Sequence, residues 1–327
     1  MTTLSVGFVG AGGNARGHMQ RLSEIDGVKL TAICDLDEAR AQEAAGEYDA
    51  KAYTDYHVML DTEELDVLYV SVPPFAHSDA ELLAARAGLH LFVEKPVVLD
   101  LDLGREIAAA LDDAGVVSCV GYQLRLLDPT RKAREFLEGK TVAMVASRRW
   151  GGLPRNLWWR QMDRSGGQLV EQTTHQVDLM RYIMQDEIVE VFAWYALRTM
   201  GDVEQFDIPD TQCVLFKFAS GALGTLSTSP MLTQGAGRGE LEFLLRDQIL
   251  GWSPRGNTLQ PEGDEPADVT AEPAPTPNID QAFVGAVLAG DPALSPCTYR
   301  DGLQTCAVTL ACNESADKGE PVQVPLV

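Results

Sequence analysis

The strongest constraint on the fold of this chain is a glycine-rich turn near its start, in the segment VGFVGAGGNARGHM. Gly10, Gly12 and Ala15 have the spacing G-x-G-x-x-A, directly after the apolar run 4–9 and at the start of a segment with helical periodicity. The first glycine permits a tight turn, the second lets the backbone approach a diphosphate, and the small third residue allows close helix–sheet packing. Free N–H groups at the helix start favour anionic groups. The residues expected to bind a dinucleotide in this loop are Gly10, Gly12, Gly13, Asn14 and Ala15.

An acidic residue at the end of the second predicted strand indicates which dinucleotide is bound. Asp35 follows about 20 residues after Ala15, where the fingerprint places an acid that accepts hydrogen bonds from the adenosine ribose. Its charge would repel a 2′-phosphate, so we expect NAD rather than NADP. Arg40 leaves the NADP alternative open, because it could lie near a 2′-phosphate. The plain alternative for the whole motif is a glycine turn followed by a helix-capping aspartate.

Apolar runs alternate with helical segments through the first third of the chain, which is typical of βαβ units around a parallel sheet. The expected strands are residues 4–9, 30–34, 67–72, 90–93 and 116–120, and the expected helices are residues 16–25, 38–48, 78–87 and 103–113. Residues 1–122 are therefore predicted to form a Rossmann domain with a doubly wound parallel sheet.

The pattern changes after residue 122, because long β-type runs follow one another without intervening helices. The expected helices are residues 128–137, 168–184, 279–289 and 299–316, the expected strands are residues 142–147, 190–197, 212–218, 222–228 and 240–246, and a Pro- and Glu-rich connector covers residues 261–277. Residues 123–327 are predicted to form an α/β domain with a large, mostly antiparallel open-faced sheet.

Composition and charge exclude several classes of protein. The chain is 45% hydrophobic with a formal net charge of −22, so it is globular and would repel nucleic acid and anionic lipid surfaces. It has no apolar run of about 18 residues and no basic segment before its first strand, so neither a membrane span nor a secretion signal is expected. Six cysteines without a CxxC pair fit a reducing cytoplasm, and no zinc-ligand spacing is present.

Two strand ends carry residues suited to redox chemistry. The segment SVPPFAH, with Pro73, should turn at the carboxyl edge of the sheet near the nicotinamide, and His77 there is a capping, surface or cofactor-contact residue. The next strand ends in Glu94 and Lys95, within the segment LHLFVEKPVV. An ammonium at this edge could stabilise negative charge on a substrate oxygen. The alternative is a surface lysine paired with Glu94.

A second cluster lies in the segment SGGQLVEQTTHQVDLMRYIM. Glu171, His175 and Asp178 are spaced i, i+4 and i+7, so a regular helix would place them on one face. His175 is then a candidate proton acceptor oriented by one of the carboxylates. The alternative is a polar helix face, or a buried histidine that pairs with Asp178.

Lys95, the Glu171/His175 helix and the glycine fingerprint together resemble the Gfo/Idh/MocA oxidoreductases, the glucose–fructose oxidoreductase and inositol dehydrogenase group. The similarity runs nearly end to end and includes GAGGNA, EKP, VGYQLRLLDP and GGQLVEQTTHQVDL. The resemblance implies that Lys95 polarises the substrate oxygen and that His175 is the acid/base. It also implies dimer or tetramer contacts through the C-terminal sheet. Glu171 stands where the family most often has Asp, and Thr173 where it usually has Gly.

The implied reaction is hydride transfer between NAD and a secondary alcohol carbon of a sugar, inositol or related polyol. Cofactor contacts are expected from Pro73, Glu94 and Lys95, and substrate contacts from Tyr122, Gln123, Arg125, Trp159 and Arg160. Aromatic and guanidinium groups of the WWR loop suit polyols, although the loop could instead cap the core or form an interface. Two other functions stay open: a hydrolase or lyase that uses tightly bound NAD in a transient oxidation, and a non-catalytic NAD-sensing regulator.

Overall fold

The computed structural model describes residues 3–232, 237–261, 267–268 and 276–327. The chain divides into two compact units. Unit 1 comprises Met1–Tyr122 and Pro277–Leu303, and unit 2 comprises Gln123–Thr276 and Gln304–Val327. The sequence predicted the division after residue 122, but it assigned residues 277–303 to the second domain. In the structure this segment packs within unit 1.

Unit 1 is built on a six-stranded parallel sheet with the order β3-β2-β1-β4-β5-β6. Its strands are β1 Leu4–Val9, β2 Val28–Cys34, β3 Lys51–Tyr53, β4 Val67–Val70, β5 His90–Val93 and β6 Ser118–Val120. Every residue of β4 is buried, as expected for a parallel strand covered on both faces. The order runs outward in both directions from β1 and β4, which gives the doubly wound arrangement that the sequence predicted.

The helices of unit 1 connect these strands and cover the sheet. They are α1 Gly13–Ser23, α2 Glu38–Glu47, α3 Tyr56–Thr62, α4 Ala80–Arg86, α5 Leu101–Ala114 and, after the return of the chain, α9 Ile279–Ala289. The sequence prediction missed β3 and α3, which are too short to show a clear hydrophobic period. Phe283 of α9 lies 5.8 Å from Tyr69 and 5.7 Å from Phe92 between ring centroids, so the returning helix completes the core of unit 1.

Unit 2 is built on a nine-stranded sheet with the order β14-β13-β12-β11-β7-β10-β9-β8-β15. Its strands are β7 Met144–Gly152, β8 Ile188–Ala196, β9 Thr211–Phe218, β10 Leu223–Leu232, β11 Leu241–Leu245, β12 Gln248–Ser253, β13 Gly256–Pro261, β14 Ala267–Asp268 and β15 Val322–Gln323. The pair β7–β10 is parallel and the other pairs are antiparallel. Burial alternates along β9, so one face of the sheet is covered and the other is open, as predicted.

The helices of unit 2 cover one side of this sheet. They are α6 Asp128–Leu137, α7 Met162–Ser165, α8 Thr174–Met184 and α10 Tyr299–Lys318, of which α10 begins within the range of unit 1. None of the helices in the described part of the chain is long and apolar enough to cross a lipid bilayer. The predicted connector at residues 261–277 lies largely outside the described residues, although β13 and β14 occupy parts of it.

The segment 168–184 differs from the regular helix that the sequence predicted. Residues Leu169–Thr173 form a π-helical turn, and only Thr174–Met184 is α-helical. A π turn widens the repeat from i+4 to i+5, and such turns are frequent at functional sites. The spacing argument for Glu171 and His175 on one α-helical face therefore does not hold in its simple form.

Candidate active site

The turn between β1 and α1 has the shape of a diphosphate cradle. Gly10 has φ +98°, and a Cβ at this position would lie 2.2 Å from the Ser71 carbonyl oxygen, so only glycine fits. Gly12 and Gly13 have no heavy atom within 4 Å of an added Cβ, so the space beside them is open. No side chain caps the start of α1, which leaves N–H groups of its first turn available to a ligand. These features fit the diphosphate of NAD.

Asp35 lies beside this loop, as the spacing predicted. Its carboxylate accepts hydrogen bonds from the N–H groups of Ala11 at 2.8 Å and of Asp37 at 2.9 Å. The Nε atom of Arg40 lies 3.6 Å from the same carboxylate, and its Nη2 atom lies 3.1 Å from the carboxylate of Asp37. Arg40 is therefore placed between two acids, which lowers the net positive charge that it could offer to a 2′-phosphate.

Lys95 follows the last residue of β5 by two positions, at the carboxyl edge of the sheet, and its peptide bond to Pro96 is cis. The preceding residue, Glu94, is 6% exposed. The carboxylate of Glu94 accepts a hydrogen bond from the backbone N–H of Lys95 at 3.2 Å, and its other oxygen lies 3.0 Å from Nε2 of His18. A Cβ on Gly121 would lie 2.6 Å from this carboxylate, so glycine there leaves room for it.

His18, on α1, was not singled out from the sequence. Its Nδ1 atom lies 2.6 Å from a carboxylate oxygen of Asp280, whose other oxygen accepts a hydrogen bond from Nε of Arg21 at 2.5 Å. Burial alone would lower the pKa of His18, but the hydrogen bonds to Asp280 and then to Glu94 outweigh burial and raise the pKa to about 9. A charged imidazole therefore joins α1, the end of β5 and α9 within unit 1.

This buried network gives Glu94 a structural role, and its expected contact with the cofactor stays a prediction. Its carboxylate is bound by His18 and by the Lys95 backbone, so we infer that Glu94 acts by holding the backbone from which Lys95 projects. The proline turn before it contains Pro73, which precedes a short 3-10 helix at Pro74–Ala76. The side chain of His77, just beyond, is buried and lies 2.5 Å from Glu81, so it is neither a surface residue nor a simple cap.

In unit 2 the structure places Glu171 in the π turn and His175 in the first turn of α8. Glu171 is buried, whereas His175 is partly exposed. Thr173, between them, is fully buried, and its hydroxyl lies 2.7 Å from the hydroxyl of Thr228 on β10. Because a glycine could not make this bond, Thr173 ties the π turn to the sheet.

Asp178 and Arg125 form an ion pair that the sequence analysis did not foresee. Arg125 donates to both carboxylate oxygens of Asp178, at 2.9 and 2.5 Å, and both side chains are buried. Thr305 adds a third hydrogen bond to Asp178 at 3.1 Å. The guanidinium of Arg125 is thus engaged in the interior, and Asp178 ties α8 to Arg125 and Thr305.

The WWR loop also differs from a plain substrate-contact loop. Trp159 packs against a small apolar cluster formed by Met200, Phe206 and Ile208. Arg160 donates to the carbonyl oxygens of Pro154 at 2.8 Å and of Glu204 at 3.4 Å. These contacts favour the alternative that the loop caps the core. Of the other expected substrate residues, Tyr122 is fully buried at the end of unit 1 and Gln123 is exposed at the start of unit 2.

Within unit 1 the structure therefore brings together the glycine loop and Asp35, and it links Lys95 to His18 through Glu94. Within unit 2 it places Glu171 and His175 in consecutive turns. The sequence could not reveal Asp280 as a partner of His18, because 262 residues separate them in the chain. The one available sign in the sequence was that His18 lies on the apolar face of the amphipathic helix α1, with Ala15, Met19 and Leu22.

Two domain models of one protein family match this chain. The model described as an oxidoreductase family with an NAD-binding Rossmann fold matches residues 4–122, and the model of the GFO/IDH/MocA C-terminal domain matches residues 130–246. The two matches fall in unit 1 and unit 2 respectively.

Individual relatives extend these matches. The myo-inositol 2-dehydrogenase of Thermotoga maritima is 30% identical over 71% of this chain and 70% of its own length. The uncharacterized oxidoreductase YrbE of Bacillus subtilis is 26% identical over 97% of this chain and 96% of its own length. A solved structure of levoglucosan dehydrogenase, in complex with NADH and L-sorbose, aligns over 100% of both chains with a TM-score of 0.87 and 19% identity. At that identity the structural likeness shows the fold alone.

Proposed function

This chain belongs to the Gfo/Idh/MocA family of NAD-binding oxidoreductases, and we propose that it transfers a hydride between NAD and a secondary alcohol carbon of a sugar, inositol or related polyol. The observation that carries the proposal is the open glycine loop over the uncapped start of α1, in a chain that also has Lys95 and His175. The inositol dehydrogenase among its relatives supports the choice of a polyol substrate.

The chain's own residues would divide the work as follows. N–H groups at the start of α1 bind the diphosphate, and Asp35 accepts from the adenosine ribose. When bound, NAD supplies the hydride acceptor or donor. Lys95 donates a hydrogen bond to the reacting oxygen and stabilises its developing negative charge. His175 holds the hydroxyl proton in the oxidation direction and returns it in reduction, with Glu171 assisting.

NAD is preferred to NADP in this proposal. Asp35 has its carboxylate held beside Ala11, where it would repel a 2′-phosphate. Arg40, which left NADP open, is shared between Asp35 and Asp37.

A homo-oligomer through the open face of the sheet in unit 2 is part of the proposal. This face carries exposed apolar side chains on neighbouring strands, among them Trp194 at 62%, Leu215 at 48% and Leu223 at 51% exposure. Contiguous apolar surface of this kind is unusual on a monomer and marks interfaces. A reducing cytoplasm is also proposed, because all six cysteines are free thiols.

The proposal is tested by adding NAD and a panel of polyols and sugars to the protein and following absorbance of the reduced nicotinamide. Turnover should fall by about 10²- to 10⁴-fold in Lys95→Ala and in His175→Ala. Lys51→Ala and His57→Ala are matched controls, because both residues are exposed and lie in surface ion pairs. Those two variants should keep wild-type turnover.

Other outcomes point to the two alternatives. Product that forms without net reduced cofactor would indicate a hydrolase or lyase with a transient oxidation. Binding of NAD without turnover of any compound would indicate a sensing protein. If calorimetry detects no affinity for oxidised or reduced dinucleotide, the proposal that this chain is an NAD-dependent enzyme is refuted.

A further inference from the structure

Arg149, on β7, is a cation with no carboxylate beside it in the part of this acidic chain that the structure describes. The chain has 48 Asp and Glu residues against 26 Lys and Arg residues, so a basic side chain usually finds a carboxylate. Among the described residues, the guanidinium of Arg149 has no carboxylate within ion-pair distance, and its hydrogen bond is to the Arg238 carbonyl oxygen at 3.5 Å. That distance is at the limit of a hydrogen bond. This one contact involves a single N–H group and leaves the other N–H donors of the guanidinium for a ligand.

The neighbouring acids are oriented elsewhere. Glu240 turns back to accept from the backbone N–H of Gly239 at 3.0 Å. The adjacent residue Arg148 lies on the opposite, open face of β7 and approaches Glu242 at 3.8 Å.

The environment of Arg149 makes its charge costly. The residue is half-buried, and desolvation by burial lowers the pKa of its guanidinium below the usual value. A cation placed in this way is stabilised when an anion enters the site.

Two glycines lie beside the Arg149 side chain. A Cβ on Gly151 would lie 2.9 Å from Nη1 of Arg149, and one on Gly239 would lie 3.9 Å from both Cδ of Arg149 and Nε2 of Gln176. A side chain at position 151 would therefore crowd the guanidinium, whereas one at position 239 would only come into ordinary contact with Cδ of Arg149. Arg149 and Gln176 thus border the same small region.

Gln176 is the second, independent sign of a ligand. It is 4% exposed, and its amide oxygen has no hydrogen-bond partner among the described residues. A buried amide oxygen without a partner is destabilising, so such atoms are usually paired or belong to a binding site. A hydroxyl group of a bound molecule would satisfy it.

The surrounding backbone fixes the position of Arg149. The hydroxyl of Thr228 donates to the Arg149 carbonyl oxygen at 2.9 Å, and the hydroxyl of Thr173 lies 2.7 Å from that of Thr228. Because the Thr228 hydroxyl donates its proton to the Arg149 carbonyl oxygen, it accepts a hydrogen bond from the Thr173 hydroxyl. The π turn, β10 and β7 are thereby joined at the level of Arg149.

This region also adjoins the proposed acid/base residue. Gln176 directly follows His175 in α8, and Gln172 directly follows Glu171. The side-chain oxygen of Gln172 lies 3.6 Å from the position that a Cβ on Gly151 would take. A group bound to Arg149 and Gln176 would therefore lie beside the residue that follows the proposed acid/base residue His175 in α8.

From these observations we propose that Arg149 binds a carboxylate of the substrate and that Gln176 binds a neighbouring hydroxyl. The substrate class is then an acidic sugar or polyol, such as a hexuronate or an aldonate. The inference rests on the proposed function, because it names the substrate class of the same site. A carboxylate is chosen over a phosphate ester because one guanidinium and one neutral amide match a single negative charge.

The test compares acids with their neutral counterparts: D-glucuronate with D-glucose, D-galacturonate with D-galactose, and D-gluconate with D-glucitol. Binding to the NADH-loaded protein is measured by calorimetry, and turnover with NAD is measured separately. At least one acid should bind about 10- to 100-fold more tightly than its neutral counterpart. Arg149→Met should abolish that preference and leave binding of the neutral compounds within about twofold.

Arg148→Met is the matched control, because it removes the same group from the opposite face of the same strand. It should keep the preference for the acid. The unfolding midpoint of Arg149→Met should equal or exceed that of the wild type, since an unpaired charge is replaced by an apolar side chain. If Arg149 served only to tether Arg238, the midpoint would fall and the acid preference would persist.

The outcomes separate this inference from the proposed function. Turnover of neutral polyols, with no preference for any acid, would overturn the role of Arg149 and keep the oxidoreductase. Arg149-dependent binding of an acid without turnover of any compound would support the site and overturn the proposed reaction. Tighter binding of D-glucose 6-phosphate than of every carboxylate would overturn the assignment of a carboxylate.

Discussion

His18 illustrates how one buried side chain can connect parts of the chain that are distant in sequence. It joins α1 to Glu94 at the end of β5 and to Asp280 on α9, and Asp280 also accepts from Tyr69 at 3.2 Å and from Arg21. Two carboxylates and one guanidinium face the imidazole, and the carboxylates keep it protonated. Protonation of His18 therefore contributes to the folding stability of unit 1.

The first prediction concerns the pH dependence of this contribution. The pKa of His18 is raised from 6.5 to about 9, so the stabilisation is complete below 6.5 and is lost as the pH rises through about 9. Between those limits the wild type should lose roughly 3 kcal/mol of unfolding free energy more than His18→Gln, which has no proton to lose. Urea unfolding at pH 6 and pH 9.5 measures the difference. Parallel loss in both proteins would contradict the raised pKa.

The second prediction concerns Asp35. Asp35→Ser should weaken NAD binding by about tenfold or more, because a charged acceptor for the ribose hydroxyls is lost, and it should reduce discrimination against NADP. Asp100→Ser is the control, since serine can still cap α5 in place of Asp100. Calorimetric titration with both dinucleotides compares the two variants. An unchanged ratio of NAD to NADP affinity in Asp35→Ser would refute the role of Asp35.

At the scale of elements, the loop before α1 and the turn before α8 show two ways to prepare a site. The first uses glycines to leave the helix start uncovered. The second uses a π turn at Leu169–Thr173, which the hydroxyl pair Thr173–Thr228 and the ion pair Arg125–Asp178 support from either side. The register of a helix can shift in this way because tertiary hydrogen bonds offset the poorer geometry of the wide turn.

The third prediction tests the glycine cradle. Gly12 has φ −70° and open space around it, so Gly12→Ala should fold with an unfolding midpoint close to that of the wild type. The added methyl would nevertheless occupy the space where a diphosphate approaches, so NAD affinity should fall by about tenfold or more. Gly46→Ala, in α2 with equally open space, should leave NAD affinity unchanged and add up to about 1 kcal/mol of stability. Full NAD affinity in Gly12→Ala would place the diphosphate elsewhere.

At the scale of the whole molecule, unit 1 needs a segment from late in the chain to complete its core, and unit 2 has a sheet face that we expect a second copy of the chain to cover. Unit 1 is completed by residues 277–303, which pack against a sheet formed by the start of the chain. Unit 2 has a broad sheet with one open face that carries exposed apolar side chains. We expect that face to be covered by a second copy.

The fourth prediction tests this assembly. Leu215→Glu places a charge on the open face and should shift the mass measured by light scattering toward that of a monomer. Leu288→Glu is the matched control, since Leu288 is 62% exposed but lies on α9 of unit 1. It should keep the wild-type mass. A wild-type protein that is monomeric at micromolar concentration would disprove the oligomer.

Much of the architecture follows from local patterns. Two strands and two helices, β1, β5, α6 and α9, have the predicted bounds, because apolar periodicity and the helix and strand boundaries set by Gly, Pro and Asn depend on a few neighbouring residues. The predicted fold classes of both sheets and the family resemblance are confirmed. The catalytic roles of Lys95, Glu171 and His175 stay predictions.

The sequence by itself determined the glycine loop, the acid after β2, the lysine after β5 and the alternation of elements, because each is written in neighbouring residues. The tertiary structure alone decided that residues 277–303 join unit 1, that His18 shares its proton with Asp280, and that Arg125 is engaged by Asp178. It also decided that no carboxylate of the described residues lies within ion-pair distance of Arg149. The physical reason is that the pairing, burial and pKa of a side chain depend on which distant residues contact it, and these contacts are determined by the folded structure and not by neighbouring positions in the sequence.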